Sequence, residues 1–171
     1  MVIFSMPDPL HPAVVHFPIV LLLMGAGVAV ASAFVNRWNL VWISAALLIM
    51  GAAGAFVAGE TGEDSREALG KLVGNINQLV EDHQEWAEQT EIAAAITAML
   101  AVMAAVGNTS AHPTARKRKP FAWLCRPRIH YTLRSFTAAA ALLLCFFVYQ
   151  TARLGGELVY DHGVGVNVAE P

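Results

Sequence analysis

The sequence predicts an all-α integral membrane four-helix bundle with an extra amphipathic helix on its outer side. Three observations carry that expectation. Apolar residues make up 56% of the 171 positions and charged ones 14%, against roughly 45–50% and about 25% in soluble domains. The uncharged stretches approach the roughly 20 residues needed to cross hydrocarbon. The remaining charges are segregated by segment, although the net charge is only −2. The length suits a single membrane domain. No repeat, low-complexity tract or nucleic-acid module stands out.

The first span is expected over residues 14–35, which carry no charge. Pro12 suits the first turn of a helix, where its missing N–H costs nothing. His11 then falls at the cap and His16 about one turn inside, among Val14, Val15, Phe17 and Ile19. Pro18 still lies close enough to the start to leave the helix intact. Ala31-Ser32-Ala33 resembles a signal-peptide cleavage site, but no Lys or Arg precedes it and the apolar run is long for an h-region. The segment is therefore expected to be retained.

The second span is expected over residues 40–58, with Ser44 as its polar side chain. Gly51, Gly54 and Gly59 here, like Gly25 and Gly27 in the first span, allow close backbone approach. Helix packing is the usual use of such spacing. Room for a flat macrocycle between helices is the sharper alternative.

Residues 59–85 read as an outer amphipathic connection. Leu69, Leu72, Val73, Ile76, Leu79, Val80, His83, Trp86 and Ala87 recur at three- and four-residue steps. His83 continues that apolar face, while Glu81, Asp82, Glu85 and Glu88 occupy others. The third span is expected over residues 86–106, and residues 107–131 form a basic loop. The fourth span is expected over 132–152, with Arg134 near its start and Arg153 just past its end. Gly155-Gly156 then permits a turn, so that Leu158, Val159 and Tyr160 cover the mouth of the bundle and carry His162 back over it.

Charge orients the set. The loop between spans three and four holds Arg116, Lys117, Arg118, Lys119, Arg126 and Arg128 without an acid. Nine acids lie from Glu60 to Glu91, against Arg66 and Lys71. Basic loops stay cytoplasmic, so both termini and the acidic connection are expected on the outer, periplasmic side of a bacterial inner membrane. Trp38, Trp42 and Trp123 then mark the inner interface and Trp86 the outer one.

Orientation sorts the histidines. His112 and His130 fall with the basic loop and read as solvated. His11, His16, His83 and His162 converge on the outer end from three segments. One chemistry this suits is a b-type haem with an imidazole on each iron face, as cofactor sites in helix bundles permit. His16 and His83 are the leading iron ligands, with His11 and His162 as a second pair or supporting groups. The other chemistry is zinc or copper on several of these imidazoles, with Asp161 or Glu60 as an oxygen ligand. No HExxH, CxxC, phosphate loop or nucleophile–base pair is present to indicate a stand-alone enzyme. An electron carrier or accessory subunit is the expectation. Cys125 and Cys145 lie in unlike surroundings and read as unpaired thiols.

His11-Pro-x-x-Val-His16-Phe-Pro18, Gly-Glu-Thr-Gly at 59–62, His83, and Gly155-Gly-x-Leu-Val-Tyr-x-His162-Gly together resemble a family of small bacterial four-span membrane proteins, domain of unknown function 2231. The resemblance covers nearly the whole chain. It implies a bacterial inner-membrane protein and a partner of respiratory or cytochrome type, which favours haem. The competing class is a structural or accessory subunit, whose small-residue faces pack on a partner or on a second copy. The expected surroundings are the lipid bilayer, with no nucleic-acid partner.

Overall fold

The computed structural model describes residues 11–35, 37–69, 75–109 and 126–164. Its helices are α1 (His11–Val14), α2 (His16–Phe34), α3 (Trp38–Leu69), α4 (Asn75–Thr109) and α5 (Pro127–Tyr160). Only Val15 separates α1 from α2, and the cause is Pro18, which offers no N–H to the carbonyl of Val14. The ladder continues around it, with Val15 N–H on His11 O and Ile19 N–H on Val15 O. Among the described residues, four segments are long and apolar enough to cross a membrane: His11–Phe34, Asn39–Asp64, Ile76–Asn108 and Arg128–Tyr160.

The long helices close a ring in which α2 packs on α3, α3 on α4, α4 on α5, and α5 back on α2. The contacts between α2 and α3 run antiparallel and interlock reciprocally. A Cβ on Gly25 would lie 2.9 Å from Leu48 Cγ, and one on Gly51 would lie 2.7 Å from Leu22 Cδ2. Each glycine thus admits the leucine of the facing helix. On α4 the inward stripe is small: Ala94, Ala98, Ala101 and Ala105 are buried at four- and three-residue steps. Bulkier residues, among them Phe17, Met24, Phe56, Phe136 and Phe146, lie on the outside. Glycines and alanines at the helix contacts, with aromatic side chains outside, suit a bundle solvated by lipid, where backbone approach rather than water exclusion holds helices together.

Three helices outrun the spans expected from composition. The periodic stripe at Ile76, Leu79, Val80, His83, Trp86 and Ala87 forms the first turns of α4 rather than a helix of its own. Neither Gly nor Pro interrupts the chain between Ile76 and Val106, and helix propagation adds one hydrogen bond per residue once started. Leu69 ends α3, while Leu72 and Val73 lie outside the described residues. Arg66 ties the two extensions together, bonding Gln84 and pairing with Glu81 at 3.5 Å. Likewise α5 continues through Gly155 and Gly156 without a turn. The chain reverses only at Gly163, whose φ of 63° is open to glycine at no steric cost. The basic run 116–119, Trp123, Cys125 and His112 lie outside the described residues.

A candidate functional site: a histidine pair between helices

His11 and His83 meet at one end of the bundle. Their ring centroids are 6.5 Å apart and the ring planes are inclined at 80°. Both rings are half-buried. His11 sits on the single turn of α1, which packs against α3, and its Nδ1 lies 2.8 Å from Ala58 O. His83 projects from α4 toward α5, with Nδ1 3.1 Å from Thr151 O.

A backbone carbonyl can only accept, so both Nδ1 atoms carry the proton and donate it. A neutral imidazole then keeps its lone pair on Nε2. Two lone pairs, one from each of two helices, are therefore presented at the same level of the bundle.

Threonines support both rings. Thr61 Oγ1 donates to Ala58 O at 3.0 Å and lies 3.4 Å from His11 Nδ1. Beside His83, Thr90 donates to Trp86 O at 2.8 Å. Its single hydroxyl proton being used there, Thr151 is the donor in the 2.8 Å bond between the two hydroxyls. Trp86, one turn along α4 from His83, packs on Phe146 and Phe147 with centroids 5.8 Å away in each case.

Glu91 is the group that sequence reasoning passed over. It reads there as one of nine connection acids, yet it lies well inside the third apolar helix. Its carboxylate rests against Gly59 of α3, where any Cβ would overlap Oε1. Gly59 directly follows Ala58, whose carbonyl receives His11. The stretch 59–62 can now be read residue by residue: Gly59 admits Glu91, Thr61 bonds Ala58 O, and Gly62 faces the His11 ring. A glycine opposite an acid at the edge of an apolar run was the available signal.

The other predicted site residues lie elsewhere. His16 is exposed at the start of α2, with Nδ1 3.0 Å from Pro12 O of α1, four residues earlier. His162 is exposed just beyond α5 and is not folded back over the bundle. Of the four candidates, the structure brings together His11 and His83. At the opposite end His130 is half-buried beside Tyr131, with centroids 5.6 Å apart. Among the described residues, no group of three or more His, Cys, Asp or Glu side chains could hold a bare metal ion.

Fold and site define a four-span α-helical membrane protein with a pair of histidines set between helices near one end. The chain belongs to the family described as predicted membrane protein (DUF2231), whose model matches residues 7–168. No curated protein and no solved structure matches it.

Proposed function

We propose that this membrane protein carries electrons through a b-type haem whose iron is held by His11 and His83. The observation that carries the reading is the matched pair of Nδ1–H···O=C bonds, which leaves an Nε2 lone pair on each ring. Ligating histidines are characteristically held this way, the second nitrogen donating to a carbonyl or carboxylate. The 6.5 Å centroid spacing puts the two rings close enough that both would hold one bound group.

The donor count separates haem from a bare ion. Structural zinc takes four protein ligands and catalytic zinc three, whereas two imidazoles suffice where a macrocycle fills the remaining positions. When bound, such a group supplies one-electron chemistry. The chain's own part is to hold it and to fix the imidazole tautomers. His11 takes the place of His16 in the leading pair, because His16 is exposed and bonded to the nearby Pro12 carbonyl of α1. The basic loop orients the chain in a bacterial inner membrane, with the histidine end and both termini outward.

An absorption spectrum of detergent-purified protein, oxidised and then dithionite-reduced, tests the reading. A Soret band that sharpens, with an α band on reduction, supports it, as does loss of both bands in His11→Ala and His83→Ala proteins that still reach the membrane. A colourless protein made with adequate haem supply overturns it, and so do bands retained in both variants. Copper or zinc in that colourless protein would make the pair a bare-ion site. A stoichiometric partner without chromophore would make the chain an accessory subunit. Orientation is checked separately by external labelling of Glu67→Cys but not Lys117→Cys; the reverse pattern would invert the bundle.

A further inference from the structure

The two histidines occupy sockets of the same construction. In each, the acceptor carbonyl lies four residues before a glycine of the same helix: Ala58 before Gly62 in α3, and Thr151 before Gly155 in α5. Side chains on a helix tilt toward its N-terminus, so the Cβ of a residue overhangs the carbonyl one turn earlier. Glycine removes that overhang and uncovers the oxygen. The ring then packs so closely that a Cβ would press on it. A Cβ on Gly62 would lie 3.0 Å from His11 Cε1 and 3.2 Å from its Nδ1. One on Gly155 would lie 3.0 Å from His83 Cε1 and 3.5 Å from its Nδ1. Gly156, the next residue, differs: its Cβ would meet only Tyr160 Cδ2, at 4.0 Å.

We propose that Gly62 and Gly155 are paired positioning residues. They seat both imidazoles on bare carbonyls, make Nε2 the ligating atom on each, and set the potential of the redox centre through the strength of the Nδ1–H···O bonds. The inference rests on the haem reading above and deepens it. Donation from Nδ1 to a carbonyl raises ligand basicity, and hydrogen bonding around ligands is one lever on haem potential. A more basic imidazole favours the oxidised iron. Both sockets therefore hold the potential low, and displacing either ring raises it.

The test uses full-length protein as wild type, Gly62→Ala, Gly155→Ala and Gly156→Ala. All three substitutions bring the same gain in helix propensity, so Gly156→Ala controls for it within α5. Redox titration should give Gly62→Ala and Gly155→Ala higher midpoint potentials than wild type and displaced α bands, with Gly156→Ala unchanged. Potentials and spectra of the two socket variants equal to those of Gly156→Ala would overturn the proposal while leaving the haem reading intact. Histidine 15N NMR of the wild type supplies a readout that requires neither haem nor a folded variant. Protonated Nδ1 on both His11 and His83 supports the sockets, and a proton on Nε2 of either in the haem-free protein sinks them. A wild type without a Soret band instead counts against the haem reading itself.

Discussion

Both ends of the bundle place a nitrogen donor on a neighbouring helix's carbonyl, and the two ends use the device differently. At one end Arg134 of α5, almost fully buried, donates from Nη2 to Val35 O at 2.9 Å. Val35 is the C-cap of α2, and its carbonyl, which has no partner within the helix, also accepts from Arg37 N–H at 2.9 Å. The guanidinium is a second donor there and meets the negative end of the helix dipole. At the other end Ala58 and Thr151 lie inside α3 and α5, where the helical ladder already supplies their carbonyls with a donor. The helices do not need the imidazoles. The hydrogen bonds of His11 and His83 orient the rings, so the same geometry is structural at one end and, on the proposed haem reading, preparatory for ligation at the other.

The largest expected effect tests the preparatory end. Replacing His11 or His83 with Ala should abolish the haem spectrum, while His16→Ala, one turn away and exposed, should leave it intact. Equal losses from all three would remove the distinction between the paired and the solitary ring. Arg134→Ala sharpens the other side: stability in detergent should fall by about 1.5–3 kcal/mol, the usual worth of a hydrogen bond to a charged group, without a shift in the α band. A spectral change in that variant would mean that the two ends are coupled.

Gly59→Ala probes the notch that holds Glu91. Overpacking should cost roughly 1–3 kcal/mol in a thermal melt, and the double variant with Glu91→Ala should recover most of it. No recovery would show that the carboxylate is not what fills the space. The smallest effect is predicted where nothing faces the glycine. No atom lies within 4 Å of a Cβ on Gly27, so Gly27→Ala should be neutral or stabilise by up to ~1 kcal/mol, the usual helix-interior gain. A loss instead would reveal a contact surface on that face of α2.

Much of the architecture was legible in the chain because the bilayer imposes a length and a polarity on any segment that crosses it. The uncharged runs marked four apolar helices, and Gly25 and Gly51 marked the close packing of α2 on α3. Gly27 carries the same letter as Gly25 and faces open space, a difference that depends on the face of the helix it occupies. The ends of the helices were harder to read. Gly155-Gly156 suggested a turn, yet α5 continues through both, since a glycine flanked by helix formers costs less than interrupting a packed helix.

Of the site, sequence alone singled out His11, His16, His83 and His162 by residue type and level. A histidine's level follows from counting along one helix. Its partner depends on the azimuth at which two helices face each other, and this separates His11 from His16 only once α1 is docked on α3. The same azimuth turns Gly62 and Gly155 toward the rings, and brings Gly59 beside an acid 32 positions away in the chain. Composition and periodicity, which act through transfer to lipid, determined that these helices cross a membrane. Which polar groups meet there was decided by packing, because carbonyl, glycine and imidazole come from segments distant in sequence and meet only when the helices close.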